Sequence, residues 1–169
     1  MKYDIQIDTQ NQKEAVKAMQ LLAEQSKKLE ELLELAIQVA TQAHKGQFDK
    51  GGYPYILHPK AVANSVESIE QKIIAYLHDV CEDTDITAED LLGMGFPCDI
   101  VNSIRILTKC DDVLYEDYLK SVKKDYNACH VKMADIKHNM DISRIPNPTE
   151  KDYARLEKYK KALAFLENK

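Results

Sequence analysis

Tryptophan is absent from this chain of 169 residues, and glycine and proline occur only five times each. So few chain-breaking residues favour helices over a protein built of many short strands and tight turns. No apolar run approaches the ~20 residues that a transmembrane helix needs, so the sequence predicts a cytoplasmic protein with no membrane partner. Residues 1–11 are polar and lack the apolar core of a secretory signal peptide.

An excess of positive charge is also missing. The 23 lysines and arginines are outnumbered by 28 acidic residues, which gives a net charge of −5. A general nucleic-acid binder is basic overall, so no nucleic acid is expected as a partner. A local basic pocket for a phosphorylated small molecule stays open. The four cysteines include no CxxC pair, and we expect reduced thiols that mostly pack in the core.

The length fits one domain. Residues 1–28 are interpreted as a leader with a short amphipathic helix, and residues 29–169 as the folded domain. Apolar residues recur at three- and four-residue steps from Leu29 to Ala43, which predicts a helix with one buried stripe. Similar patterns predict helices over about 59–69, 73–81, 100–107, 113–122 and 128–142, with Thr87 and Thr149 capping two more. The predicted fold is an all-α, irregular single-domain helical bundle.

The pair His78-Asp79 stands in an apolar stretch that is predicted to be helical. A charged Asp there is costly unless it has a partner, and a divalent metal ion would be one. A single such pair is more often a hydrogen-bonded His–Asp pair in a core. Two further residues favour the metal site over a core pair. They are His58, at the end of a Gly/Pro loop over residues 46–58, and Asp135, in a second apolar helix. Two imidazoles and two carboxylates suit Mn²⁺, Fe²⁺ or Zn²⁺.

Glu82 and Asp83 follow His78 by one helical turn, so Glu82 is expected on the same face. Carboxylates are disfavoured at the C-terminal end of a helix, which is where the pattern places both. Their unfavourable position suggests that Glu82 and Asp83 have a function and are not merely surface charges at the end of a helix. A carboxylate beside a metal site can orient or deprotonate the attacking water of a hydrolase.

Lys50 is the best candidate for a phosphate contact, because flanking glycines let the 46–58 loop close on a ligand. Tyr53 and Tyr55 could stack on a base or pack in the core. Asn139 shares the helix face of Asp135 and could position a substrate, whereas His138 could face either way. Other cations near the motifs, including Lys132 and Arg144, are interpreted as mostly solvated helix faces.

Three segments, AHKGQFDKGGYPYILHP, YLHDVCEDT and VKMADIKHNMD, resemble the signatures of the RelA/SpoT-type HD hydrolase family. The resemblance covers about residues 29–169 and implies manganese-dependent hydrolysis of (p)ppGpp with release of its 3′ pyrophosphate. The implied metal ligands are His58, His78, Asp79 and Asp135. The implied water-activating pair is Glu82 and Asp83, and the implied substrate contacts are Lys50 and Asn139. The C-terminal sequence is most similar to small stand-alone bacterial members, with no room for synthetase, TGS or ACT domains.

Two positions depart from the family pattern. Asp49 and Asp141 stand where an arginine is common, and each reverses a charge close to an anionic nucleotide. A different phosphorylated nucleotide, or dephosphorylation of NADPH, therefore stays open as the reaction. The alternative to an enzyme is a nucleotide-binding regulatory module of the same fold with little or no turnover. A homo-oligomer is compatible with the sequence, which decides neither the metal nor the role of residues 1–28.

Overall fold

The computed structural model describes residues 9–110 and 112–168, and within these ranges the chain is built of helices. The only extended pairing in the described part is a bridge between Phe48 and Pro54. The all-α prediction is confirmed. The helices are α1 (Thr9–Ala43), α2 (Leu57–Asn64), α3 (Ile69–Leu77), α4 (Val80–Asp83), α5 (Ala88–Gly93), α6 (Cys98–Leu107), α7 (Tyr115–Lys124), α8 (Tyr126–Asn139) and α9 (Glu150–Glu167), with a 3₁₀ turn at Ile142–Arg144.

The apolar helix α3 lies at the centre of the bundle. It packs against α1, α2, α6 and α8, and its residues Ile73, Ile74 and Leu77 are fully buried. Ser68 caps its N-terminus by accepting a hydrogen bond from the backbone N–H of Gln71. Helix α8 packs beside α3 and also contacts α2, α6, α7 and α9. The two helices that carry the predicted metal-ligand motifs are therefore neighbours in the core.

Helix α1 spans the predicted boundary at residue 28 between the leader and the folded domain. It runs unbroken from Thr9 to Ala43, because no glycine or proline interrupts it near residue 28. Leu32, Ala36 and Ala40 are buried, whereas residues 11–28 are exposed throughout. The proposed division at residue 28 falls within this helix and stays a prediction as a domain boundary. Residues 1–8 of the leader lie outside the described residues.

Both predicted threonine caps are present. Thr87 and Asp90 form a reciprocal capping box at the start of α5, and Thr149 and Asp152 form another at α9. No helix in the described ranges is long and apolar enough to cross a membrane. The expectation that the cysteines mostly pack in the core is wrong for two of the four, because Cys98 and Cys110 are exposed.

The predicted helix over residues 73–81 is broken at His78-Asp79. Helix α3 ends at Leu77, and α4 begins at Val80 after a turn. Both residues of this turn keep right-handed helical backbone angles, with φ −61° and ψ −33° at His78 and φ −97° and ψ −7° at Asp79. Glu82 and Asp83 are the last two residues of the single-turn helix α4, so both carboxylates lie at a helix end, as the sequence predicts.

Candidate metal centre

The structure brings the four predicted metal ligands together. His58 of α2, His78 and Asp79 of the α3–α4 turn, and Asp135 of α8 converge at one point. His58 Nε2 lies 3.2 Å from Asp135 Oδ1 and 3.5 Å from Asp79 Oδ2. His58, His78 and Asp135 each offer a ligand atom within 4.8 Å of the others, and all three residues are buried. Elements distant in sequence thus form one compact group of nitrogen and oxygen atoms.

His78 shows that this group suits a cation. Its Nδ1 lies 2.7 Å from the carbonyl oxygen of Ala75, which can only accept, so Nδ1 carries hydrogen. Its Nε2 is buried without a hydrogen-bond partner among the described residues, 3.0 Å from Asp79 Oδ2 and 3.9 Å from Asp135 Oδ1. Burial opposes protonation of His78, but the two carboxylates that Nε2 faces raise its pKa and favour positive charge at this point, from a proton or from a metal ion. The donor set of two imidazoles and two carboxylates fits a divalent metal ion.

The pKa values agree with a site that attracts positive charge. Burial opposes protonation of His58, but the Asp135 and Asp79 carboxylates overcome it and raise the pKa of His58 to about 9. Burial also disfavours ionisation of the two carboxyl groups. The adjacent imidazoles nevertheless hold the pKa of Asp79 well below its usual value, and Lys132 with the imidazoles lowers the pKa of Asp135. Both carboxyl groups of the cluster are therefore ionised at neutral pH.

Each carboxylate is fixed by a neighbour that lies outside the ligand set. The Tyr55 hydroxyl donates to Asp79 Oδ2 over 2.7 Å. Lys132 Nζ lies 2.8 Å from Asp135 Oδ2, and Asn139 Nδ2 donates to Asp135 Oδ1 over 2.5 Å. Such contacts orient metal ligands and tune their charge. Asn139, predicted to contact substrate, thus has its amide hydrogen bond within the cluster.

Glu82 and Asp83 lie beside the cluster and line the same cavity. Both are exposed, in contrast with the buried histidines. Glu82 Oε2 accepts from the backbone N–H of Lys109 over 3.1 Å, which holds the side chain through one of its two carboxylate oxygens. The backbone carbonyl of Asp83 accepts from the Gln47 side chain. Two exposed carboxylates next to a cation site can accept a proton from water.

The loop between α1 and α2, residues 44–56, is folded back on itself. Asp49 N–H donates to the carbonyl of Tyr53 over 2.8 Å, and Gly52 N–H donates to the carbonyl of Asp49 over 3.0 Å. Gly52 has a φ of +81°, which a residue with a side chain rarely adopts. The Asp49 carboxylate accepts from the backbone N–H groups of Gly51 and Tyr53. The α1–α2 loop is therefore a defined turn.

Two ion pairs hold the α1–α2 loop against the C-terminal part of the chain. Arg144 Nη2 lies 2.5 Å from Asp49 Oδ2, and Lys50 Nζ lies 2.7 Å from Asp152 Oδ1. Asp49 therefore does not present an unpaired negative charge, contrary to the interpretation of this position from sequence. Asp141 is exposed and accepts from the backbone N–H and hydroxyl of Ser143.

A cavity of about 360 Å³ opens above the ligand cluster, between the α1–α2 loop and α8. Its lining includes carboxylates, among them those of Asp79 and Asp135, and the cationic side chains of Lys50, Lys132, Arg144 and Arg155. Lys132 is paired with Asp135, and Arg144 with Asp49. A lining with both signs of charge suits an anionic ligand that contacts the cations while a metal ion contacts the acids.

Tyr53 lies outside the residues that line the cavity and is 57% exposed, so its role as a substrate contact stays a prediction. Tyr55 lines the cavity instead. Arg144, interpreted from sequence as a solvated cation, and Arg155 were missed as cavity residues. Arg144 lies in a proline-containing connection, and nothing in the neighbouring sequence indicates that it contacts the α1–α2 loop.

No protein-family profile matches the chain. The chain is 33% identical over 117 residues to a guanosine-3′,5′-bis(diphosphate) 3′-pyrophosphohydrolase of Haemophilus influenzae, covering 60% of this chain and 17% of that protein. It is 31% identical over 136 residues to the protein of that name from Vibrio cholerae, covering 72% of this chain and 19% of the relative. The bifunctional (p)ppGpp synthase/hydrolase SpoT of Escherichia coli is 32% identical over 123 residues, covering 64% of this chain and 17% of that protein.

The chain belongs to the RelA/SpoT-type HD-domain family. It spans less than a fifth of the length of these curated relatives. A solved structure of a metazoan ortholog of SpoT that hydrolyses ppGpp superposes with a TM-score of 0.67 at 21% identity, covering 80% of this chain and 84% of that one. This structural similarity shows that the two chains share the HD-domain fold.

Proposed function

We propose that this HD domain is a metal-dependent hydrolase of (p)ppGpp that releases the 3′ pyrophosphate. The observation that carries the proposal is the buried His78 Nε2, which lacks a hydrogen-bond partner among the described residues and faces Asp79 and Asp135. It lies below a cavity whose lining includes both acidic and basic side chains. The names of the relatives, which are pyrophosphohydrolases of guanosine bis(diphosphate), support the substrate.

In this proposal His58, His78, Asp79 and Asp135 hold the ion, with Mn²⁺ as the metal that the family resemblance favours. When bound, a divalent cation polarises a phosphoryl oxygen and lowers the pKa of coordinated water. The chain supplies a fixed geometry for it: Ala75 sets the hydrogen on His78 Nδ1, and Tyr55 and Lys132 orient the two carboxylates.

Glu82 and Asp83 are the proposed acceptors of the proton of the attacking water. The water oxygen attacks the phosphorus that is joined to the 3′ oxygen of the ribose, and the bond between that phosphorus and the 3′ oxygen breaks. Pyrophosphate leaves with the oxygen of water, and a proton passes to the 3′ oxygen to form a hydroxyl group. Both carboxylates line the cavity and are exposed to solvent, which supports this role.

The cationic side chains that line the cavity are the proposed contacts of the remaining phosphates. Lys50 contacts phosphate by exchanging its ion pair with Asp152 for one with the substrate. Arg155 also lines the cavity, as does Arg144, which is paired with Asp49. Asn139 is proposed to contact substrate while it retains its hydrogen bond to Asp135, and Tyr53 is a candidate to stack on the base from the outer side of the α1–α2 loop.

The test is incubation of the purified protein with ppGpp in ¹⁸O-labelled water and Mn²⁺, followed by mass spectrometry of the products. The expected result is GDP and pyrophosphate, with the label in pyrophosphate. Omission of metal with a chelator is the control, and GTP, ATP and NADPH are parallel substrates. Label in the nucleotide would overturn the proposed bond cleavage, and release of phosphate from NADPH alone would assign a different substrate. Binding of ppGpp without turnover would favour the regulatory alternative.

A further inference from the structure

A row of four side chains leads from the α1–α2 loop to the ligand cluster. Asp49 contacts Arg144, Arg144 contacts His138, and His138 contacts His58. The distances are 2.5 Å from Asp49 Oδ2 to Arg144 Nη2, 2.9 Å from Arg144 Nη1 to His138 Nδ1, and 2.7 Å from His138 Nδ1 to His58 Nδ1. The last atom is on the far side of the His58 ring from Nε2, which faces the carboxylates.

The chemistry of each group favours one placement of the hydrogens. A guanidinium can only donate, and Arg144 Nη1 lies 2.9 Å from His138 Nδ1 and 3.4 Å from the His138 carbonyl oxygen, so a hydrogen on His138 Nδ1 would point toward the N–H groups of a cation. Two ring nitrogens 2.7 Å apart cannot both present lone pairs, so with His138 Nδ1 unprotonated the donor is His58 Nδ1. His58 then carries hydrogen on Nδ1, and Nε2, which faces the two carboxylates, is the nitrogen that would give up its proton to a metal ion.

Arg144 is itself held from both sides. Its Nη2 pairs with Asp49, whose other oxygen is held by two backbone N–H groups of the loop. The loop also approaches the Arg144 backbone closely: a Cβ atom on Gly51 would lie 2.5 Å from the Arg144 carbonyl oxygen. The position of the guanidinium is therefore set by the turn of the α1–α2 loop.

We propose that Asp49, Arg144 and His138 are positioning residues that fix the hydrogen of His58 on Nδ1 and thereby prepare Nε2 for the metal ion. This inference rests on the proposed metal site but does not depend on the substrate. It also gives the negative charge of Asp49 a definite role, because that charge holds the arginine that donates to His138. An arginine at this position would instead place like charges together.

The first test is NMR of the metal-free protein with ¹⁵N-labelled histidine. We expect a scalar coupling across the hydrogen bond between His58 Nδ1 and His138 Nδ1, together with the chemical shift of an unprotonated nitrogen at His138 Nδ1. In Arg144→Met, which removes the donor to His138, the coupling is expected to weaken or vanish. A protonated His138 Nδ1 in the wild-type protein would overturn the proposal whether or not a metal binds.

The second test is the Kd for Mn²⁺ measured by calorimetry. Loss of a group that orients a metal ligand typically weakens affinity about 10–100-fold. We expect that range for His138→Leu, and substantial rescue in His138→Gln, whose amide oxygen can accept from His58. Asp49→Asn is expected to weaken binding, whereas Asp141→Asn, which removes a carboxylate from the same cavity, is the control.

The outcomes separate this inference from the proposed function. Equal Mn²⁺ affinity in wild type, His138→Leu and Asp49→Asn would overturn the positioning role. If the wild-type protein binds no metal, the proposed metal centre fails, and the NMR experiment still decides the hydrogen positions. If metal binding follows the expected order but ppGpp is not cleaved, only the assigned reaction fails.

Discussion

The side chain of Gln47 donates to the backbone carbonyl of Asp83, over 3.1 Å and across 36 positions of sequence. Gln47 is held in turn by His44, whose Nδ1 lies 2.7 Å from Gln47 Oε1. His44 is buried and its ring packs against that of Tyr55. The start of the α1–α2 loop thus supports the short helix that carries the two exposed carboxylates.

Gln47→Ala is expected to lower kcat while the free energy of unfolding changes little. The substitution removes a contact to α4 but leaves the core packed. One hydrogen bond contributes a net ~0.5–1.5 kcal/mol, which corresponds to about a 2- to 13-fold loss of kcat if the whole contribution is used to position Asp83. Steady-state kinetics and thermal unfolding measure the two effects. Gln42→Ala, at an exposed position of α1, is the matched control. A kcat that equals that of the control would contradict the positioning of α4 by Gln47.

Asp79→Ala is expected to abolish metal binding, whereas Glu82→Gln is expected to keep the metal and slow turnover. The first removes a proposed ligand, and the second removes a proposed proton acceptor whose loss typically costs ~10²–10⁴-fold in rate. Elemental analysis and kinetics on both variants separate the roles, with Asp85→Asn as the control for an exposed carboxylate nearby. Full activity in Glu82→Gln would remove Glu82 from the mechanism.

Tyr55→Phe is expected to weaken metal affinity by about 10-fold, because it deletes only the hydroxyl that donates to Asp79. Burial and the nearby Asp79 carboxylate raise the pKa of Tyr55, so its hydroxyl keeps the proton it donates at any ordinary pH. Calorimetric titration with Mn²⁺ measures the change. Tyr53→Phe makes the same deletion outside the cavity and serves as the control for metal affinity. Equal affinities for the two variants would show that the Tyr55 contact does not tune Asp79.

Lys50→Met is expected to raise the KM for ppGpp about 10-fold with a smaller change in kcat, since it removes a charge-assisted contact to phosphate. The Lys50 side chain is 54% exposed, so the effect should shrink as salt rises and screens charges beyond ~8–10 Å. Kinetics at low and moderate salt test this, with Lys60→Met, an exposed lysine of α2, as the control. A KM that does not depend on residue 50 would place the phosphates elsewhere in the cavity.

Acid is expected to release the α1–α2 loop. Burial opposes ionisation of Asp49, but the N–H groups of Tyr53 and Gly51 and the Arg144 charge lower its pKa. The Lys50 hydrogen bond, with those of Thr149, lowers the pKa of Asp152. Carboxyl groups with lowered pKa stabilise the fold above pH ~4 and lose that contribution as the pH falls through their folded-state values.

Urea unfolding of wild type and Asp49→Asn between pH 7 and pH 2 measures this contribution. We expect the wild type to be more stable than Asp49→Asn at neutral pH, and the difference to shrink as the pH falls toward 2 and Asp49 takes up a proton. Asp85→Asn controls for the loss of one surface carboxylate. A difference that stays constant over the whole pH range would show that the charge of Asp49 does not stabilise the loop.

The convergence of the four proposed metal ligands was predictable because each polar side chain is energetically costly in its apolar surroundings. A carboxylate such as Asp135 in an apolar helix needs a partner of opposite charge. Several such residues in one chain indicate that they share a partner. The capping threonines were predictable for a similar reason, since the contacts of Thr87 and Thr149 lie within three residues of each cap. Features whose energetic reason lies within a few residues can be recognised from the sequence around them.

The helix break and the row of positioning residues were not predictable in this way. Residues 77–80 contain neither glycine nor proline, and the apolar pattern continues through them, so nothing local ends α3 at Leu77. Arg144 and Asp49 are 95 positions apart and meet only after α8 has packed against α2 and α3. Their partnership is a product of tertiary structure, and each residue alone resembles an ordinary surface charge.

The two ion pairs of the α1–α2 loop also set an order in which the site is completed during synthesis. All four proposed metal ligands have left the ribosome once Asp135 has emerged, but the partners of Asp49 and Lys50 follow only with Arg144 and Asp152. A nascent chain can therefore assemble the inner ligands before the loop beside them is anchored. The opening through which an ion or a nucleotide reaches the cluster takes its final shape only when the start of α9 has been made.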